Sequence, residues 1–242
     1  MAERTTALVT GANKGIGYEI AAGLGRLGWS VGVGARDDAR REAAVEKLQA
    51  DGIDAFGVPL DVTDDESVAA AARLLEERGG LDVLVNNAGI TGGAPQEPTQ
   101  ASAAQIREVV EVNVIGVLRT TTAMLPLLRR SAAPRIVVMS SSVGSLGRQV
   151  ALPGKEAVGP LSAVYSPSKT YLNAVMIQYA KELSDTNIKL NLACPGYVAT
   201  DLNGFAGHRT VEQGAAIAVE MAQVPDDGPT GAYVDENGPI PW

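Results

Sequence analysis

Ala7-Leu-Val-Thr-Gly-Ala-Asn-Lys-Gly-Ile-Gly17 decides how the rest of this 242-residue chain is read. A short apolar run enters a glycine-rich turn, and from Tyr18 to Leu27 apolar residues recur at helical spacing. The stretch therefore reads as strand, turn, helix. Gly11 can take the tight turn and Gly15 lets the backbone approach a pyrophosphate. Gly17 permits close packing of the helix, whose N-terminus faces the phosphates. An ordinary glycine-rich loop between a strand and a helix has the same composition, so the turn alone only nominates a nucleotide site.

Outward from this unit the same rhythm repeats. Short apolar runs at Ala7–Thr10, Ser30–Ala35, Ala55–Pro59, Leu81–Asn86, Arg135–Ser140, Lys189–Cys194 and Gly231–Asp235 read as strands. Longer amphipathic segments over Gly17–Leu27, Ala39–Ala50, Asp65–Arg78, Ser102–Arg130, Ala163–Leu183 and Thr210–Ala222 read as helices. The alternation predicts one α/β domain over residues 1–242. It is a Rossmann-type, doubly wound, mostly parallel seven-stranded sheet with helices on both faces. Thr91–Gln100 and Gly144–Gly159, rich in Gly, Pro and small residues, read as loops.

Composition excludes several classes. With 45% hydrophobic residues the chain can bury one sizeable core. A net charge of −8 argues against electrostatic binding of nucleic acid or an anionic membrane surface. A single cysteine, Cys194, cannot close an intramolecular disulfide, and the N-terminus lacks a signal-peptide layout. No apolar run approaches the ~20 residues of a membrane span. A cytoplasmic protein is expected. With one histidine, His208, and no Cys/His cluster of ligand spacing, no metal is expected.

Three further motifs follow in order. Asp61-Val62 leaves the third strand, where the carboxylate can accept from an adenine amine while Val62 packs on the ring. Val83-Leu-Val-Asn-Asn-Ala-Gly89 leaves the fourth strand, with Asn86 and Asn87 able to tie neighbouring strands by their side chains. Arg135-Ile-Val-Val-Met-Ser-Ser-Ser-Val-Gly144 ends the fifth strand in three serines whose side chains alternate between faces. Tyr165 and Lys169 then stand four residues apart on one helix face. A fixed ammonium near a phenol favours the phenolate, making a proton donor and acceptor. Such a pair is also an ordinary helix neighbour. Pro167 between them fits the first turn of that helix.

Taken together, these motifs resemble the short-chain dehydrogenase/reductase family, in its carbonyl-reductase-like branch, over essentially the whole chain. The resemblance rests on Thr10, Gly11, Gly15 and Gly17, Asn86 to Gly89, Tyr165 with Lys169, and Pro195-Gly196. It implies hydride transfer between a nicotinamide and a carbonyl, with Asn113, Ser141, Tyr165 and Lys169 catalytic. Ser142 lies one residue of register away from the serine role. Lys169 would hold the nicotinamide ribose and lower the tyrosine pKa, and Asn113 would anchor a water. Gly11, Asn13, Lys14, Gly15, Ile16, Gly17, Arg36, Asp61, Val62, Asn87, Tyr165, Lys169, Pro195, Gly196, Val198 and Thr200 would contact the cofactor.

Cofactor choice turns on Trp29-Ser-Val-Gly-Val-Gly-Ala-Arg36. Ala35 falls where an NAD site presents an acid, and Arg36 with Lys14 offers cations to a 2′-phosphate, so NADP is expected. A small register shift would bring Asp37 there instead. The substrate is expected to be a small aldehyde, ketone or quinone. Leu146–Leu161, with Leu152, Pro153 and Val158, would form one pocket wall; Leu202, Phe205 and His208 would form a lid. A carrier-bound β-ketoacyl substrate stays open through Arg148, Lys155 and Arg209. A cofactor sensor without chemistry and a sugar-nucleotide epimerase are the rivals from other classes. The segment from Ser141 to Tyr165 is longer than the common family spacing and shorter than the insertion of monomeric animal carbonyl reductases, which leaves a homodimer or homotetramer open.

Overall fold

Because successive side chains on a strand face opposite ways, a strand covered on both sides must be apolar throughout. The computed structural model, which describes residues 4–150 and 161–242, shows this in each central strand. The strands are β1 (Thr6–Thr10), β2 (Ser30–Ala35), β3 (Ala55–Pro59), β4 (Val83–Asn86), β5 (Arg135–Met139), β6 (Lys189–Ala193), β7 (Tyr233–Asp235) and β8 (Gly238–Pro239). The helices are α1 (Gly15–Arg26), α2 (Asp38–Ala50), α3 (Asp65–Glu77), α4 (Ala103–Val110), α5 (Gly116–Leu128), α6 (Leu146–Gln149), α7 (Tyr165–Glu182) and α8 (Val211–Ala222). Leu8, Leu84, Ile136, Val138 and Leu190 pack with Leu75 of α3, Met124 of α5, and Leu172 and Met176 of α7. Their neighbours Ala7, Val9, Val83, Val85 and Val137 pack on the other face with Ile20 and Leu24 of α1, Leu48 of α2 and Ala218 of α8.

The sheet runs β3-β2-β1-β4-β5-β6-β7-β8. The first seven strands are parallel, and β8 pairs antiparallel with β7. Seven strands were expected. The eighth is two residues long, too short to leave an alternation in the sequence, and it turns back where the Asn237 N–H donates to Asp235 Oδ1 at 2.8 Å. Strand order reverses between β1 and β4, so the glycine-rich turn and the Asn86–Gly89 segment leave the sheet side by side.

Asp37, Asp64, Ser102 and Thr210 each accept a backbone N–H at a helix start, which sets the entries of α2, α3, α4 and α8. The continuous helix expected over Ser102–Arg130 is interrupted. One π-helical turn, Glu111–Ile115, joins α4 to α5 and contains Asn113. Such turns often mark functional positions because the wider ring re-aims one side chain. No helix among the described residues is long and apolar enough to cross a membrane.

The close approach of α1 to the sheet depends on Gly17, where a Cβ would lie 2.4 Å from both the Gly11 carbonyl oxygen and Asn87 Nδ2. Gly17→Ala should therefore destabilise the fold by about 1–3 kcal/mol through overpacking, read from urea unfolding. An unchanged midpoint would show that the turn yields freely.

Candidate active site

At the parting of β1 and β4, Thr10 Oγ1 accepts from the backbone N–H groups of Asn87 and Ala88, each at 2.9 Å. Asn87 returns the contact, its Nδ2 donating to the carbonyls of Thr10 at 2.9 Å and Gly11 at 3.2 Å. Asn86 does something else: its Nδ2 donates to Thr121 Oγ1 on α5 at 3.0 Å. Only the second asparagine of the doublet ties the strands. Gly11 and Gly15 take φ values of +65° and +58°, open to glycine at little cost. A Cβ on Gly15 would meet nothing within 4 Å except Thr200 Cγ2 at 3.8 Å. Thr200 thus stands beside Gly15 at the start of α1, where backbone N–H groups and the helix dipole suit a pyrophosphate.

Ala35 is the last residue of β2, paired with Pro59, and Arg36 follows it exposed to solvent. Asp37 is committed elsewhere, since its Oδ1 caps α2 by accepting from the Arg40 N–H at 2.9 Å. Buried Arg41 fixes this turn by donating to the Ala35 carbonyl at 3.1 Å and to Asp38 Oδ1 at 2.7 Å. Lys14 pairs with Asp201 Oδ2 at 2.5 Å. It borders an open cleft of about 630 Å³ lined also by Asn13, Gly15, Tyr18, Arg40 and Lys47. The sequence reading missed Arg40 and Lys47; their spacing of seven on α2 places them on the side facing α1. Asp61 Oδ1 accepts from both Thr63 N–H at 2.9 Å and Thr63 Oγ1 at 2.7 Å. Burial raises this carboxyl, but the Thr63 bonds, with Arg36 and Arg119 nearby, outweigh it and hold Asp61 below the usual range. Val62 is buried against Gly116 of α5.

The reactive groups gather beyond β5. Ser140 is buried and donates to Asn173 Oδ1 at 2.5 Å, while the Ser142 N–H points to Cys194 Sγ at 3.1 Å. Ser141, between them, is the serine close enough to the Tyr165 hydroxyl to favour its phenolate. Tyr165 opens α7, so Pro167 lies in its first turn, as expected. Lys169 is 5% exposed, its Nζ donating to the Met139 carbonyl at 2.8 Å and lying 5.8 Å from the centre of the Tyr165 ring. Fully buried Asn113 accepts from the Ile90 N–H and donates to the Ile90 carbonyl, both at 2.8 Å, and also donates to Ser168 Oγ at 3.0 Å. Ser168 Oγ donates in turn to the Tyr165 carbonyl at 2.6 Å. Asn173, one turn beyond Lys169, also donates to the Gly144 carbonyl at 3.3 Å, a role the sequence reading overlooked.

The expected depression of the Tyr165 pKa by Lys169 is not what this geometry gives. Burial raises the phenol, nearby Ser141 opposes it, and the net shift is upward. Burial also lowers Lys169 to about 8. Burial is the leading cause for both groups, and the Lys169 ammonium donates to the Met139 carbonyl.

Past β6, Pro195 and Gly196 (φ +77°) start a loop that folds back on itself, with the Ala199 N–H donating to the Arg209 carbonyl at 2.9 Å. Val198 is buried in it, and Thr200 caps the short turn Asp201–Asn203. Leu146, Val150, Leu161, Tyr197, Leu202 and Phe205 are exposed apolar residues in the segments that leave β5, enter α7 and leave β6. His208 is also exposed, its ring 6.0 Å from that of Tyr197. Leu152, Pro153, Lys155 and Val158 lie outside the described residues.

The short chain dehydrogenase profile matches residues 5–210. The chain belongs to the short-chain dehydrogenase/reductase family. It is 34% identical to short-chain dehydrogenase/reductase 1 of Saponaria officinalis, an alignment covering 100% of this chain and 97% of that protein. It is 34% identical to carbonyl reductase (NADPH) 1 of Bos taurus, with 98% of each chain covered. The solved structure of salutaridine reductase from Papaver somniferum superposes with a TM-score of 0.83 at 30% identity, covering 95% of this chain and 99% of that one. As a short-chain dehydrogenase/reductase, the protein is an oxidoreductase, and the family binds a nicotinamide cofactor. The glycine turn at the start of α1, with free backbone N–H groups at a helix N-terminus beside an open cleft, has the chemistry that the pyrophosphate of such a dinucleotide requires.

Lys169 gives this site a signature in stability. Between about pH 8 and the 10.5 of a free lysine, the unfolded chain holds a proton at this position that the folded chain has released. The contribution of Lys169 to folding must therefore rise with pH across that window. Urea unfolding should show wild type gaining stability relative to Lys169→Met from pH 8 to 10. A constant difference would contradict the burial of the ammonium.

Proposed function

We propose that this protein reduces the carbonyl of an aldehyde, ketone or quinone to the alcohol, using NADPH and with Tyr165 as proton donor. The observation that carries this reading is the meeting of Ser141, Tyr165 and buried Lys169 beyond β5, with the Lys169 ammonium 5.8 Å from the centre of the Tyr165 ring. Two hydroxyls so placed can both turn to one carbonyl oxygen, and an oxygen gaining negative charge is stabilised by donors already in place. Since burial holds the phenol pKa high, Tyr165 is protonated at neutral pH and ready to act as the acid. The bound nicotinamide supplies the hydride. Lys169 would hold its ribose hydroxyls, and Asn113, joined to Ile90 and Ser168, would anchor a water linking Lys169 to solvent.

Exposed Arg36 favours NADPH over NADH, since Ala35 stands at the end of β2 and Asp37 caps α2; Lys14 joins it on leaving its Asp201 partner. The name of the Bos taurus relative points the same way. The exposed apolar residues around the site suit a free, apolar carbonyl compound. A carrier-bound β-ketoacyl substrate needs free cations at the entrance; Arg148 is paired with Asp235 and Arg209 with Glu236, and Lys155, the third candidate, lies outside the described residues. A cofactor sensor would have no use for Ser141, Tyr165 and Lys169 brought together.

Tyr165→Phe should lower kcat by about a thousandfold, within the range of lost general acid catalysis, while NADPH binding measured by fluorescence stays within about threefold. Turnover retained in this variant would remove Tyr165 from the role. Arg36→Ala should raise the KM for NADPH by roughly tenfold, the loss of a charge-assisted contact, and leave that for NADH nearly unmoved. Equal losses for both cofactors would refute the phosphate assignment.

A further inference from the structure

The C-terminal residues are fastened to the segment that carries Ser141. Tyr233 of β7 is 2% exposed and its hydroxyl donates to the Ser141 carbonyl. Ser145, fully buried, donates through Oγ to the Pro241 carbonyl. The Gly147 N–H donates to the Trp242 carbonyl at 3.1 Å, and Arg148 pairs with Asp235 at 3.1 Å. The β7–β8 hairpin makes this possible, since the Ile240 N–H donates to the Tyr233 carbonyl at 2.7 Å and carries Pro241 and Trp242 back past the strand. The Trp242 ring then lies 5.3 Å from that of Tyr233, tilted by 41°.

The backbone on either side of Ser141 is anchored, the Ser140 N–H on the Ala193 carbonyl at 2.9 Å and the Ser142 N–H on Cys194 Sγ at 3.1 Å, and Tyr233 adds a bond to the Ser141 carbonyl itself. Ser141 precedes the short turn Ser142–Gly144, and its side chain makes no capping bond there, which leaves the hydroxyl to Tyr165. Its carbonyl accepts from the Gly144 N–H at 2.8 Å and from Tyr233. A phenylalanine would fill the same apolar space at position 233 without the cost of burying a hydroxyl, a cost that only a hydrogen bond offsets.

We propose that Tyr233 is a positioning residue, its hydroxyl, braced by Trp242, fixing the Ser141 backbone so that the serine hydroxyl stays near Tyr165. This inference rests on the reading of Ser141 and Tyr165 as catalytic. The Tyr233 phenol is pushed up to about 12, by burial above all, so it remains a donor throughout the working pH range.

The test is Tyr233→Phe in the full chain, which keeps the ring and its contact with Trp242 and deletes the hydroxyl. The kcat per NADPH-binding site should fall roughly tenfold, the worth of one hydrogen bond, with the KM for NADPH within about twofold. Because Tyr233 acts through Ser141, Tyr233→Phe added to Ser141→Ala should cost no further kcat. A purely structural role would lower the melting temperature, leave the kcat per site in place and add its cost in the Ser141→Ala background too; an unmoved kcat or full additivity overturns the proposal. Trp242→Leu gives the same readouts, in the same direction and smaller, should Tyr233→Phe not be recovered folded. Ser141→Ala and Tyr165→Phe are measured alongside. If these retain turnover, the catalytic reading falls and the proposal with it. If they lose it while Tyr233→Phe matches wild type, only the positioning role falls.

Discussion

The Thr10 hydroxyl, accepting from two consecutive N–H groups beyond β4, is the joint on which the site depends. Parallel strands whose connections leave in opposite directions must separate at their ends, and the backbone groups released there need partners. Thr10 and Asn87 supply those partners from side chains. The gap therefore stays open as a cradle with glycine on its floor, where a column of hydrophobic side chains would otherwise close it.

From that joint the chemistry is built by burial. A sheet covered on both faces leaves polar groups room only at its ends, so Ser141, Tyr165 and Lys169 meet at the exit of β5, against a core that excludes water. Taking a phenol and an ammonium out of water moves their pKa values apart, Tyr165 up and Lys169 down to about 8, so that both favour the neutral form. The α5 side adds the π turn, which directs the Asn113 amide to Ile90 and Ser168 and thereby secures the start of α7 from behind.

Much of this was legible in the sequence. Continuous apolar runs announce buried parallel strands, and the ordered motifs place the glycine turn, the Asn doublet, the serines and the Tyr/Lys pair on strand exits. What stayed hidden depends on tertiary direction. Spacing could not tell Ser141 from Ser142; in the structure the Ser142 N–H turns to Cys194 Sγ, while Ser141 lies close enough to Tyr165 to favour its phenolate. Proximity on a helix suggested that Lys169 lowers the phenol pKa, whereas the Met139 carbonyl draws the ammonium and burial governs both groups. Asp37 offered a rival to Arg36 until the start of α2 claimed its carboxylate. Tyr233 and Trp242 carried no signal, because their contacts with Ser141 and the residues after it span most of a hundred positions.

The central claim is that this arrangement turns over a free carbonyl compound with NADPH. The direct measurement is cofactor oxidation by the purified protein across aldehydes, α-diketones, quinones and β-ketoesters, each with NADPH and with NADH. Turnover with NADPH exceeding that with NADH, on free carbonyl compounds, is the predicted result. Tight NADPH binding with no turnover on any carbonyl, or a preference for NADH, would contradict it.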